Sequence, residues 1–174
     1  MRFHVTHLLK QPVGTCTRYQ LSEEMLELED VTLRQMAGVV ELVRTNRGIL
    51  VRASLKSFSH GQCARCLAEM DYPLDLGFEE EFLPVVDVLT GAPVPLPEES
   101  DHFTIGPDFV LDLHESVRQY AIMAQPLAPL CRPDCRGLCS QCGGDLNAGE
   151  CRCPPTVDSR WAVLKTLAAQ LKEE

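Results

Sequence analysis

Hydrophobic and polar positions alternate through much of the first half of the chain, the two-residue period of a strand with one buried and one wet face. The β-branched runs Val39–Arg44 and Ile49–Leu55 predict two strands. Between them, Thr45-Asn46-Arg47-Gly48 predicts a hairpin turn, because Asn and Gly tolerate the positive φ that a tight turn needs. Shorter strands are expected at Phe3–Thr6, Thr15–Gln20 and Val31–Gln35. Another falls within Ala68–Phe82, where Tyr72, Leu74 and Leu76 alternate with polar neighbours.

The period breaks from Leu83 to Pro107. Pro84, Pro93, Pro95 and Pro97 remove ladder donors in a stretch rich in acids, which predicts a loop. It then changes to a helical one. Asp112 and Glu115 have the spacing of a capping box, and Leu113, Val117, Tyr120, Ala121 and Ala124 recur at helical intervals until Pro126 and Pro129 end the run. A second helix is predicted from Asp158, with Trp161, Leu164, Leu167, Ala168 and Leu171 on one face and Trp161 as its anchor. The fold class is therefore α+β: a mainly antiparallel β domain with a helix over residues 1–125, carrying an acidic loop at 83–107. A cysteine-ligated zinc tail with a C-terminal helix follows over residues 126–174.

Composition sharpens this picture in two places. No run approaches the roughly 20 apolar residues of a membrane span, and the N-terminus lacks an apolar stretch of signal-peptide length. The expected location is the cytoplasm, where thiols stay reduced and clustered cysteines bind metal more often than they form disulfides. Six of the nine cysteines lie between Cys131 and Cys153, far above ordinary usage, so a metal site is expected there.

Cys139-x-x-Cys142-Gly143 has the form of a zinc knuckle: two intervening residues let one turn aim both sulfurs at one ion. A tetrahedral ion needs a second pair. Cys151 and Cys153 lie nearby across Gly144, Asn147 and Gly149, with Cys131 and Cys135 as competitors. Upstream, Cys63-x-x-Cys66 is another pair, read equally as a simple turn, a redox pair or half of a second site. With Cys16 set aside as a strand residue, arithmetic permits two four-thiolate sites. These would be Cys139, Cys142, Cys151 and Cys153 in one, and Cys63, Cys66, Cys131 and Cys135 in the other. A two-metal cluster within the six tail cysteines fits the count as well, so the expectation is one or two Zn2+ per chain. His4, His7, His60, His102 and His114 are scattered and read as surface or core residues.

Charge is uneven. The net is −9, and Leu67–Val117 holds thirteen Asp or Glu with no Lys or Arg. Such a segment repels a phosphate backbone and suits a basic protein partner, with Glu79, Glu80 and Glu81 as the candidate contact. The same acids also serve as a solvated face that aids solubility. Phosphate-binding glycine loops, H-E-x-x-H and G-x-S-x-G are all absent. A catalytic zinc keeps an open position, whereas here thiolates exceed demand. Neither an enzyme nor a small-molecule substrate is expected.

The order Cys63-Ala-Arg-Cys66-Leu67, an acidic middle, Pro126-Leu-Ala-Pro-Leu-Cys131, Cys135-Arg-Gly-Leu-Cys139, Cys142-Gly, Asp145-Leu-Asn147 and Cys151-Arg-Cys153 resembles the YceD family. The ending Asp158-Ser-Arg160-Trp161 is similar to that family's closing element, with Ser159 where proline is common. The resemblance implies a bacterial or organellar protein connected with accumulation of large-subunit ribosomal RNA. The family's gene often neighbours that of a zinc-binding large-subunit ribosomal protein. No enzymatic activity is established for it, and some members lack the tail cysteines. The implied partners are a large-subunit ribosomal protein or an rRNA precursor, with no membrane involved. Two other readings remain open: a zinc-knuckle RNA-binding module using Arg132, Arg136 and Arg152, and a thiol redox-sensing adaptor.

Overall fold

From Ile49 to His60 the burial alternates as the pattern predicts: Ile49, Val51, Ala53, Leu55, Ser57 and Ser59 turn inward, while Arg52, Ser54, Lys56, Phe58 and His60 face water. This strand is the centre of the sheet in the computed structural model, which describes residues 1–97, 102–149, 151–153 and 164. In chain order the elements are β1 (Arg2–His4), α1 (Thr6–Leu9), β2 (Cys16–Glu27), β3 (Thr32–Arg44) and β4 (Ile49–Gln62). They continue with β5 (Glu69–Pro84), β6 (Phe103–Ile105), β7 (Val110–Asp112) and α2 (His114–Ala124).

The five-stranded sheet has the order β2-β3-β4-β5-β6 and is antiparallel except for β5 and β6, which run parallel. β1 and β7 form a separate antiparallel pair. The core lies on the inner face of the large sheet. There Leu33, Met36, Val40, Leu42, Ile49, Val51, Leu55, Leu74, Leu76 and Phe82 pack with Leu8 and Leu9 of α1 and with Val117 and Ala121 of α2. Tyr120 of α2 stacks on Phe78 of β5 with ring centroids 4.7 Å apart. The outer face is wet and carries cross-strand pairs: Arg18 with Glu41, Arg52 with Glu79 (3.2 Å), Lys56 with Asp75 (3.8 Å) and His60 with Asp71 (2.9 Å). Exposed pairs of this kind contribute about 0–1 kcal/mol each, so they keep the face soluble more than they hold the sheet together.

The 45–48 hairpin forms, but neither Asn46 nor Gly48 takes a positive φ; glycine is needed at 48 because a Cβ there would sit 2.0 Å from Phe82 O. Thr45 Oγ1 accepts the Gly48 N–H (2.9 Å), and the half-buried Arg44 guanidinium donates to Gly48 O (2.9 Å) and Leu9 O (3.1 Å). Other expectations need correction. Thr32–Gln35 of the expected strand Val31–Gln35 and all of Val39–Arg44 belong to one strand, β3, interrupted by a bulge between Arg34 and Ala37 where Gln35 has φ 51°. The buried Ser57 hydroxyl donates to the Arg34 carbonyl at that bulge (2.9 Å), which explains a polar residue in the core. The Thr15–Gln20 strand runs on to Glu27, and the expected strand Phe3–Thr6 ends at His4 and gives way to α1.

Residues 83–107 are not all loop. β6 lies there and pairs with β5, and Val86 bridges to Pro93. The capping box does not form: the N-cap residue of α2 is Leu113, which makes no side-chain cap bond. Asp112 Oδ1 accepts the His114 N–H (3.0 Å), but Glu115 turns to Arg118 (2.8 Å) and Gln119 (2.8 Å) instead of reaching back. Of the second predicted helix only Leu164 lies within the described residues; Trp161, Leu167, Ala168 and Leu171 lie outside them. Among the described residues no helix is long and apolar enough to cross a membrane.

Candidate metal centre

The chain builds one knuckle twice. At the end of β4, Cys63 N–H donates to Ala68 O (2.9 Å) and Leu67 N–H donates back to Cys63 O (2.9 Å). In the tail, Cys139 N–H donates to Gly144 O (2.8 Å) and Gly143 N–H donates back to Cys139 O (2.9 Å). The residue after the second cysteine is left-handed in both turns, with φ 61° at Leu67 and 70° at Gly143. Each turn aims its two sulfurs to the same side, as a shared ion requires.

A second pair closes each knuckle. Cys63, Cys66, Cys131 and Cys135 form one tetrad, and Cys139, Cys142, Cys151 and Cys153 form the other, with all sulfurs of a tetrad within 4.8 Å of one another. Cys63 and Cys135 sulfurs are 3.8 Å apart, Cys66 and Cys131 3.7 Å, and Cys139 and Cys151 3.4 Å. A Zn–S bond of about 2.3 Å at the tetrahedral angle separates neighbouring sulfurs by about 3.8 Å, so the donor set and its spacing suit zinc. Cys16 stands apart, exposed at the start of β2.

Electrostatics repeats the duplication. In each knuckle the first cysteine is an acceptor for amides. The Cys66, Cys131 and Arg65 N–H groups hold the Cys63 thiol down to about 6, and those of Cys142 and Gln141 hold Cys139 down to about 6. The late cysteines go the other way. Burial and then neighbouring thiols push Cys131 up to about 12, and hydrogen bonding with Cys142 followed by burial pushes Cys153 up to about 12. Four sulfurs this close cannot all ionise without a cation, so each tetrad sets a ready thiolate against a reluctant thiol, and in the first tetrad Cys66 is raised along with Cys131.

Residues 51–168 match the sequence profile described as large ribosomal RNA subunit accumulation protein YceD. The chain belongs to the YceD family. Uncharacterized proteins of Mycobacterium bovis and Mycobacterium tuberculosis are each 30% identical to it over 141 residues, 81% of this chain and 65% of the relative. One from Mycobacterium leprae is 26% identical over 121 residues, 70% of this chain and 54% of the relative. The chain thus spans less than two thirds of the length of these curated relatives. No solved structure matches it.

In this YceD chain the two tetrads are joined by residues whose part spacing alone does not reveal. Asn147 lies in the loop of the tail centre, yet its Nδ2 donates to the Cys135 sulfur of the other tetrad (3.5 Å). Its Oδ1 accepts the Arg136 N–H (2.8 Å) and the Arg132 side chain (2.7 Å), and Asp145 Oδ1 fixes the amide in turn (2.8 Å). The sequence marks Asn147 only as a turn residue within Asp145-Leu-Asn147. Arg65 clamps the tail as well, with its guanidinium on Cys135 O (2.9 Å) and its carbonyl accepting the Leu138 N–H (3.2 Å). Gly137 permits that approach, since a Cβ there would sit 3.0 Å from Arg65 O.

Glu79, Glu80 and Glu81 are not brought together as one surface. The alternation of β5 separates Glu80 from the other two: Glu79 pairs with Arg52, Glu80 accepts from the Tyr120 hydroxyl (2.6 Å) and Glu81 from Thr45 (2.6 Å). Only Glu79 is exposed. Reversing all three charges would break two internal hydrogen bonds together with any docking contact.

The two turns differ at one position, which gives a direct test of the knuckle geometry. A left-handed non-glycine residue costs roughly 1–2 kcal/mol, less glycine's backbone-entropy penalty of about 0.5–1 kcal/mol. Leu67 is 57% exposed, so little burial is at stake. Leu67→Gly should raise unfolding stability by up to ~1 kcal/mol, and Gly143→Ala should lower it by a similar amount although a Cβ at Gly143 meets nothing within 4 Å. Chemical denaturation of the zinc-loaded proteins reads both. A shift of the same sign in the two variants contradicts the shared geometry.

Proposed function

We propose that this YceD protein is a non-catalytic, zinc-holding factor in large-subunit biogenesis, supporting accumulation of the rRNA by binding a ribosomal protein or an rRNA precursor. The family match over residues 51–168 carries the biological part of the reading. The two tetrads carry the chemical part. A four-thiolate site has no open position for water or substrate, so its ion holds chain geometry and does not activate a nucleophile.

Charge favours a protein partner over RNA at the metal-bearing end. Two zinc ions with eight thiolates leave two negative charges at each centre, four in all. Arg65, Arg132, Arg136 and Arg152 supply the same number of positive charges in the knuckles and their flanks. Arg132 also pairs with Asp134 (3.6 Å). These arginines balance the thiolates and leave no surplus to displace counterions from a phosphate backbone. The molecule as a whole, at −9, attracts basic partners.

Affinity capture of the tagged protein from its own cells, against a tagged control, tests the reading. Large-subunit precursor RNA or a large-subunit ribosomal protein should be enriched. RNase treatment of the eluate should leave a directly held protein in place. Recovery of the chain alone under gentle, low-salt conditions would refute the assembly role.

A further inference from the structure

We infer that the free edge of β2 is a docking site for an extended, basic segment of a partner protein, which joins the sheet as an added antiparallel or parallel strand. The inference deepens the proposed function by naming the surface and the chemistry of the partner. β2 is the terminal strand of the five-stranded sheet and runs for 12 residues, about 40 Å, with β3 on one side only. Among the described residues no backbone group of Thr17–Glu27 bonds to anything on its other side. A strand of this length with an open row of N–H and C=O groups is a template for pairing, and edge strands are usually short, kinked or covered.

Side chains along the edge say which strand fits. From Tyr19 to Leu33 there are five acids, Glu23, Glu24, Glu27, Glu29 and Asp30, with no Lys, Arg or His. All five are exposed. Asp30 is engaged by Arg118, while no ion pair among the described residues engages Glu24, Glu27 or Glu29. Tyr19, Leu21 and Leu26 pack only partly against the core, so an added strand with apolar residues on that side would finish covering them. The complement is an extended segment alternating apolar and basic residues. A second copy of β2 does not meet this description, because it brings three more glutamates and a single basic residue, Arg18, to the new ladder. RNA is repelled by the same carboxylates.

The test uses the full chain and a fluorescein-labelled peptide of about ten residues alternating lysine and valine, titrated by anisotropy at low salt. Three controls accompany it: the same peptide with glutamate for lysine, the lysine peptide with alternate backbone nitrogens methylated, and a single-stranded RNA of similar length. The lysine peptide should bind, and amide exchange along β2 should slow when it does. Methylation should weaken binding at least about tenfold, since it removes donors and leaves charge intact. E23K/E24K/E27K should weaken it by a similar factor. Equal binding of the methylated peptide would reduce the contact to simple charge attraction and overturn the inference. Stronger binding of RNA than of the lysine peptide would overturn it too. Capture of ribosomal components without peptide binding would leave the assembly role standing and remove this edge from it, whereas peptide binding without such capture would do the reverse.

Discussion

Cys135→Ser should lower the metal content from two zinc ions per chain to one and release the tail from the sheet, while the sheet itself stays folded. The reason lies in what the tail is made of. The hydrophobic core ends at α2, with Ala121 buried and Ala124 partly so. Beyond it, within the described residues, Cys135, Gly137 and Cys139 are buried, and no large apolar side chain is. The interior of this region is sulfur. Structural zinc in small finger peptides supplies roughly 10–16 kcal/mol at neutral pH, comparable to the total stability of a domain, so on the proposed reading a segment with no apolar interior would depend on it.

Cys135 is the most consequential ligand because it belongs to the tetrad that spans β4 and the tail, and it also accepts from Asn147. Its loss breaks the ion's hold on the sheet and the hydrogen bond that ties the second centre to the first. Cys151→Ser, by contrast, should empty only the tail centre. Native mass spectrometry counts the ions, and hydrogen exchange over residues 129–149 compared with β3 and β4 reads the release. Continued protection of the tail amides after chelation would show that zinc does not hold this segment. Two ions retained in C135S would dissolve the assignment of the first tetrad.

Much of this arrangement was legible in the chain, for reasons that also mark where legibility stops. β4 and the 45–48 turn were readable because each second residue is buried and the turn chemistry is local. β2 was cut short at Gln20 because Ser22, Glu23, Glu24 and Met25 are all exposed; an edge strand without a fully buried face carries no strict alternation to detect. β3 was divided because the bulge at Gln35 shifts the period by one residue. Asp112 and Glu115 have the right spacing for a box, but Arg118 competes for Glu115 with two charge-assisted contacts.

Cysteine count pointed to two possible tetrads. It could not choose between a sheet-to-tail site and a two-metal cluster within the tail, because that depends on a contact between residues 63–66 and 131–135. Leu67 stands where Gly143 stands in the second knuckle, so the Cys63-x-x-Cys66 pair lacked the glycine that marks a knuckle and read equally as a simple turn or a redox pair. Asn147 looked like turn chemistry and is that, but its amide also spans the two centres.

Acidification should strip the metal in two regimes, shallow above about pH 6 and steeper below it. In the metal-free protein Cys131 and Cys153, pushed up to about 12, carry protons at neutral pH. The tail ion must expel at least that one proton and the first ion at least two, since Cys66 is raised as well. Apparent affinity should therefore fall at least about tenfold per pH unit at the tail centre and about a hundredfold at the first between pH 7 and 6. Cys63 and Cys139, held down to about 6 by backbone amides, are already largely thiolate in that range and add little. Below it they too are protonated in the metal-free state, and the fall should steepen at each centre by about a further tenfold per unit. The sign follows from which state holds the protons: the metal-free chain binds them and the zinc-bound chain does not, so lower pH always favours release. Competition with a chromophoric chelator across pH 7.5 to 5.5, corrected for the chelator's own protonation, measures the slope. A constant slope through pH 6 would mean that the knuckle amides do not hold Cys63 and Cys139 as thiolates, and affinity independent of pH would deny thiolate ligation altogether.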